Sequence, residues 1–181
     1  MLRLIVIAVA AAALAAAVGG YAGFRNRIHA IPYEEMARVG ALMVRRAGAN
    51  TMVLSAPASP STTIPRNNPD TRPTYCWLDL SDGPVRVFGP LPESYWSLSI
   101  YTPDSLNPFV ISDRELAPAR EYDFLVARRG EAPETAGDRR VIEVDADQAA
   151  VLLRWYVPTP EHVAEIDALR RAGRCEPFQP S

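Results

Sequence analysis

The chain has 181 residues, 17 prolines against 10 glycines and a formal net charge of -2. That length accommodates one domain beyond an N-terminal segment, and the balanced charge excludes a nucleic-acid surface. All 19 basic residues are arginine, which excludes a Schiff-base lysine, a phosphate-loop lysine and a Ser-Lys dyad.

Leu4 to Val18 carries no polar or charged side chain, and Gly19 to Phe24 extends the apolar run. As a helix rising about 1.5 Å per residue it is long enough to cross a hydrocarbon core of roughly 30 Å. Arg3 precedes the run; Arg25 and Arg27 follow it. Residues 1–24 therefore read as a transmembrane anchor or uncleaved signal that contacts the lipid bilayer through residues 4–24. Ala15-Ala16-Ala17 offers a cleavage site, but the apolar run continues past it, and Tyr21 and Phe24 suit an interfacial belt. The flanking arginines nearly balance, so charge alone does not orient the span.

Residues 25–49 read as an amphipathic linker helix over His29 to Arg46. Pro32 suits its first turn, Glu34 and Glu35 its positive end, Arg45 and Arg46 its negative end, and Gly48 stops it. Met36, Val39 and Met43 form one apolar stripe with Leu42 beside it.

From Asn50 the pattern shortens to strands, and residues 50–181 form one β-rich domain. Candidate strands are Thr51 to Leu54, Tyr75 to Leu80, Val85 to Phe88, Tyr95 to Tyr101, Phe109 to Ile111, Tyr122 to Ala127, Arg140 to Val144 and Ala150 to Val157. Within them Cys76, Leu78 and Leu80 share one face, and Trp96, Leu98 and Ile100 another. Ser81-Asp82-Gly83-Pro84 reads as a hairpin turn. A C-terminal helix follows, with Thr159 as N-cap, Pro160 at its first position and Gly173 at its end; Val163, Ile166 and Leu169 face inward, and Arg170 and Arg171 close it. The expected fold is mainly β with flanking helices, an antiparallel β-sandwich or open barrel behind the two N-terminal helices.

Few residues carry chemistry. Two histidines, His29 and His162, and two distant cysteines assemble no standard zinc spacing, and no Gly-x-Ser-x-Gly elbow or Gly-rich phosphate loop is present. No catalytic residue, metal or cofactor is assigned. Cys76 and Cys175 have two readings: a disulfide worth on the order of 4 kcal/mol in an oxidising compartment, or two separate buried thiols. Ile64 to Tyr101 concentrates polar groups, with Arg66, Asn68, Asp70, Tyr75, Asp79, Tyr95 and Trp96 as candidate ligand-binding residues. Such a cluster is either a hydrogen-bonded brace on the sheet or the wall of a polar pocket.

Arg66-Asn67-Asn68-Pro69-Asp70-Thr71, then Tyr75-Cys76-Trp77-Leu78-Asp79-Leu80-Ser81-Asp82-Gly83-Pro84, then Tyr95-Trp96-Ser97-Leu98, resemble the family designated domain of unknown function 1254. The likeness covers about Asn50 to Arg114. It departs at Asn67, where the family has proline, at Pro69, and at Arg72-Pro73-Thr74, which lengthens the gap before Tyr75. The short, N-terminally anchored members of that family imply an envelope protein. The chain would then be a single-pass inner-membrane protein with its domain in the periplasm, or, if the signal is cleaved, a protein secreted there.

Three functions follow as expectations. The first is a membrane-anchored envelope domain with a non-enzymatic binding or structural role, its partner an envelope protein or small polar ligand. The second is an enzyme on a glycan or small polar substrate, using Asp70 and Asp79 with Tyr75, Tyr95 and Trp96 as a stacking wall. The third is an accessory subunit of a membrane complex, docked through Met36, Val39 and Met43.

Overall fold

Alternation along each strand decides which faces meet. The computed structural model describes residues 1–55 and 70–180. Nine strands are present among them: β1 Met52–Leu54, β2 Thr71–Asp79, β3 Val85–Pro90, β4 Trp96–Tyr101, β5 Phe109–Ser112, β6 Glu121–Arg128, β7 Arg140–Val144, β8 Gln148–Tyr156 and β9 Arg174–Pro177. The first sheet runs β1-β2-β8-β4-β5 and is antiparallel throughout. The second runs β7-β6-β3-β9, with β6 and β7 parallel and the other pairs antiparallel.

One core lies between the sheets. Leu78, Trp96, Leu98, Val151 and Trp155 enter it from the first sheet, and Val87, Tyr122, Phe124 and Val126 from the second. Cys76 on β2 and Cys175 on β9 form a disulfide across it, with Cα atoms 6.5 Å apart. The two separate sheets make the fold a sandwich, not a barrel.

Two connections differ from the expected ones. The Ser81–Pro84 turn forms, with Gly83 at φ +130°, but β2 and β3 do not pair. They lie in different sheets, so the turn is a corner between layers. Leu80, fully buried at that corner, bonds through its amide to the Asp147 carbonyl at 2.8 Å. The tail after the last helix also supplies β9 on the edge of the second sheet, and a short helix α2, Asp113–Leu116, follows β5.

The N-terminal quarter of the chain corrects the expected division into two helices. Leu2–Ala47 is one 46-residue helix, α1, with Pro32 inside it instead of in a first turn. Gly48 ends it as expected, its amide bonded to the Val44 carbonyl at 2.8 Å. Residues before Ala30 are exposed throughout. Beyond that point the helix lies on the first sheet. Gly40 is buried, and a Cβ there would stand within 2.6 Å of three ring atoms of Trp77. The Ser105 hydroxyl donates to the Pro32 carbonyl at 3.2 Å. The docked face is Met36, Gly40 and Met43, while Val39 and Leu42 of the expected stripe remain exposed. The close approach requires glycine, and that shifts the contact face away from Val39.

At the other end, Pro160–His162 is a single 3-10 turn with Thr159 before it, continuing into α3, Val163–Ala172. Ile166 is buried, and α3 packs on β3.

Candidate functional site

Asp70 and Asp79 do not share a cleft. They stand at opposite ends of β2, whose ladder to β8 runs unbroken from Thr71 opposite Tyr156 to Asp79 opposite Gln148. At about 3.3 Å per residue, nine steps separate their Cα atoms by roughly 30 Å. Paired glycosidase carboxylates lie within about 10 Å of each other. The expected two-carboxylate centre is therefore not formed.

Asp79 acts as a brace. Its carboxylate accepts from the Ser81 amide at 3.1 Å and from the Ser81 hydroxyl. These bonds hold it below the usual carboxylate range. Its own backbone is clasped by the Asn50 amide, with Nδ2 donating to the Asp79 carbonyl at 3.0 Å and Oδ1 accepting from the Asp79 amide at 2.8 Å.

The expected aromatic wall is also divided. Trp96 is 2% exposed, inside the core and opposite Trp155. Tyr95, one residue earlier, is 48% exposed, and its carbonyl accepts from the Tyr156 amide at 2.9 Å. Arg66 and Asn68 lie outside the described residues. The Asp70 carbonyl accepts from the Val157 amide at 2.9 Å.

Three of the strands bring a different set together on the outer face of the first sheet. Ala149, Val151, Leu153 and Trp155 of β8 point into the core, so Leu152, Arg154 and Tyr156 point away from it. Tyr75 opposes Leu152, which opposes Ser99; Pro73 opposes Arg154, which opposes Ser97. Tyr156 lies beside Tyr95 in the next row. Arg154 thus stands at the centre of the sheet, with Tyr75, Tyr95 and Tyr156 around it and Ser97 and Ser99 on the neighbouring strand. Burial pushes the Tyr75 hydroxyl up, while the nearby Arg154 and Arg170 guanidinium groups pull it down. Tyr75 and Tyr95 were legible as candidates. Arg154 and Tyr156 were missed, although the i, i+2, i+4 alternation of β8 places both on the outer face.

Two other polar clusters are internally satisfied. On the second sheet, Asp123 accepts from Arg86 Nε and Nη2 at 2.8 and 2.9 Å and from Arg139 Nε at 3.1 Å. The Arg86 guanidinium lies 3.9 Å over the Phe88 ring, beside a cavity of about 410 Å³ lined also by Glu176 and Phe178. Arg170 of α3, 3% exposed, donates to Thr74 Oγ1, Asp167 Oδ1 and the Ser55 and Pro73 carbonyls at 2.6–3.1 Å. Among the described residues no three His, Cys, Asp or Glu side chains gather to hold a metal ion.

A two-sheet sandwich behind a long apolar N-terminal helix, with Asp79, Asp123 and Arg170 spent on bracing, defines a structural class but no chemistry. Residues 49–177 match the model of the protein family of unknown function DUF1254, and the chain belongs to that family. The match extends well beyond the segment that carries the resemblance in sequence, to the end of β9. The VPA0106 protein from Vibrio parahaemolyticus has a similar solved structure, with a TM-score of 0.65 and 17% identity over 86% of this chain and 40% of that one. An uncharacterised protein from Burkholderia cenocepacia aligns at a TM-score of 0.49 and 18% identity, over 71% of this chain and 37% of that one. The chain spans less than half the length of either, and the first likeness concerns the fold alone. No curated protein matches the chain.

Proposed function

We propose that this protein is a single-pass membrane protein whose sandwich is held outside the cytoplasm, in the periplasm, as a binding domain and not as an enzyme. The observation that carries this reading is the continuity of α1. About 20 of its 46 residues suffice to cross a bilayer core, and the same rod continues to its dock on the first sheet at Pro32 and Gly40. Only the stretch from Arg25 to Pro32 separates span from dock, about 12 Å of helix. That geometry holds one surface at a set height above the membrane, which suits presentation to a partner or ligand.

The disulfide supports the extracytoplasmic side, since such bonds persist in oxidising compartments. The separation of Asp70 from Asp79 and the bracing role of Asp79 weigh against the carboxylate enzyme. The accessory-subunit reading loses its docking stripe, because Met36 and Met43 already face the protein's own sheet.

Reporter fusions at the C-terminus test the topology: an alkaline phosphatase fusion should be active and a cytoplasm-dependent fluorescent fusion dark. Protein extracted from membranes should have the intact mass, including Leu2 to Val18. A soluble, truncated periplasmic product would refute the anchor, and an active cytoplasmic reporter would refute the placement.

A further inference from the structure

Among the described residues, the outer face of the first sheet contains a cation without a counter-charge. Arg86, Arg120, Arg128, Arg129, Arg139 and Arg170 each hold at least one carboxylate. Arg154 holds none, and it makes no hydrogen bond among the described residues. Residues 56–69, which connect β1 to β2, contain no Asp or Glu and so bring it no carboxylate. Arg154 is half-buried on the central strand of the sheet, where an uncompensated charge costs stability. Its cross-strand neighbours, Pro73 and Ser97, supply no charge.

What surrounds it is suited to an anion. Ser97 and Ser99 are 5% and 2% exposed and form a low polar floor on β4. Tyr75 lies diagonally across from Arg154, about 7–8 Å away by backbone spacing, close enough for the guanidinium to act on its hydroxyl. Tyr95 and Tyr156 stand in the next row. A guanidinium presents a planar fork of donors that matches a carboxylate or phosphate in a bidentate pair.

We propose that Arg154, with the Tyr75 and Ser97 hydroxyls, binds the oxyanion group, carboxylate or phosphate, of a small ligand. The proposal rests on the binding-domain reading above and names its ligand class. It is separable from the topology, because the reporter fusions read the span and the anion titration reads Arg154.

The test is thermal unfolding of the full chain in detergent micelles, titrated with sodium acetate or inorganic phosphate against sodium chloride at matched ionic strength. One of the two oxyanions should raise the wild-type midpoint by about 2–4 °C over the chloride control. Arg154→Met should abolish that rise. Without anion its midpoint should equal or exceed the wild type, because a binding residue is retained at a cost in stability and Met keeps most of the apolar stem. Tyr75→Phe should weaken the response severalfold with the fold unchanged. Free glycerol phosphate, compared with phosphatidylglycerol vesicles, tells a soluble oxyanion from a lipid headgroup, and either response must vanish in Arg154→Met. An equal response in that variant, no response in the wild type, or a ligand-free Arg154→Met midpoint several degrees low would overturn the proposal.

Discussion

Arg170 and Arg154 show how differently one residue type is used within a single sandwich. Arg170 leaves α3 and places its guanidinium where β1 ends, satisfying two backbone carbonyls, a threonine hydroxyl and Asp167. Removing it would withdraw a buried guanidinium from the Pro73 and Ser55 carbonyls, the Thr74 hydroxyl and Asp167 at once. Arg170→Met should therefore destabilise the protein by about 3 kcal/mol, measured by denaturant unfolding. Arg170→Lys should recover little, since one ammonium cannot reach the same spread of acceptors. In sequence Arg170 reads as a charge closing a helix, because last-turn arginines usually complement the dipole. Its burial depends on Thr74, 96 positions away, and nothing local reports that. Asp79 was legible as a polar residue of interest, yet its role was decided by Ser81, two positions on, and by Asn50, which only folding brings near.

Among the elements, α1 carries the clearest division between what pattern reveals and what it conceals. Its apolar run and its stop at Gly48 were legible from composition and punctuation. Its continuity through Pro32 was not, because proline normally breaks a helix by withholding an amide and crowding the preceding turn. Here the helix rests on the domain at that point, with Ser105 bonded to the Pro32 carbonyl. The loop that presents Ser105 is itself tied by Asp104, which accepts from the Thr102 hydroxyl at 2.6 Å and the Leu106 amide at 3.2 Å. The Thr102 hydroxyl is the main cause holding the Asp104 carboxyl below its ordinary value. A lowered folded-state value means that the contribution is present above the unfolded value, near pH 4, and is lost as the pH falls through the folded one. Acidification below about pH 4 should thus loosen the loop and the Pro32 end of the dock before the sandwich unfolds. Indole fluorescence from Trp77 should report it, and Asp104→Asn should already show the loosened signal at neutral pH. A signal identical in the variant and wild type at pH 7 would refute this coupling. Eight of the nine strands were legible individually by alternation; β9 was not, nor was the β2–β3 corner, since a two-layer turn and a hairpin turn use the same residues.

At the scale of the whole molecule, the sandwich rests on pairings between distant segments. β2 pairs with β8 and β3 with β9, so the order of strands in the sheets could not be read along the chain. The Cys76–Cys175 disulfide joins the layers across 99 residues of sequence. A loop of that length makes the bond worth about 4–5 kcal/mol, mainly through the unfolded chain. Reduction should therefore lower the melting midpoint substantially while the shared core keeps the protein folded at 25 °C. An unchanged midpoint, measured with the thiols shown to be free, would rule this out. The family signature itself was legible, because it is a run of ordered residues and needs no tertiary context.

The unbroken helix has a mechanical consequence. A span longer or shorter than its bilayer is accommodated partly by tilting, and a helix continuous through Pro32 passes that tilt to whatever is fixed at its end. If the dock holds, a 10° lean of the span would swing a point about 40 Å up the rod sideways by roughly 7 Å. The Arg154 face would then turn with local membrane thickness, and the protein would behave as a lever as well as a tether.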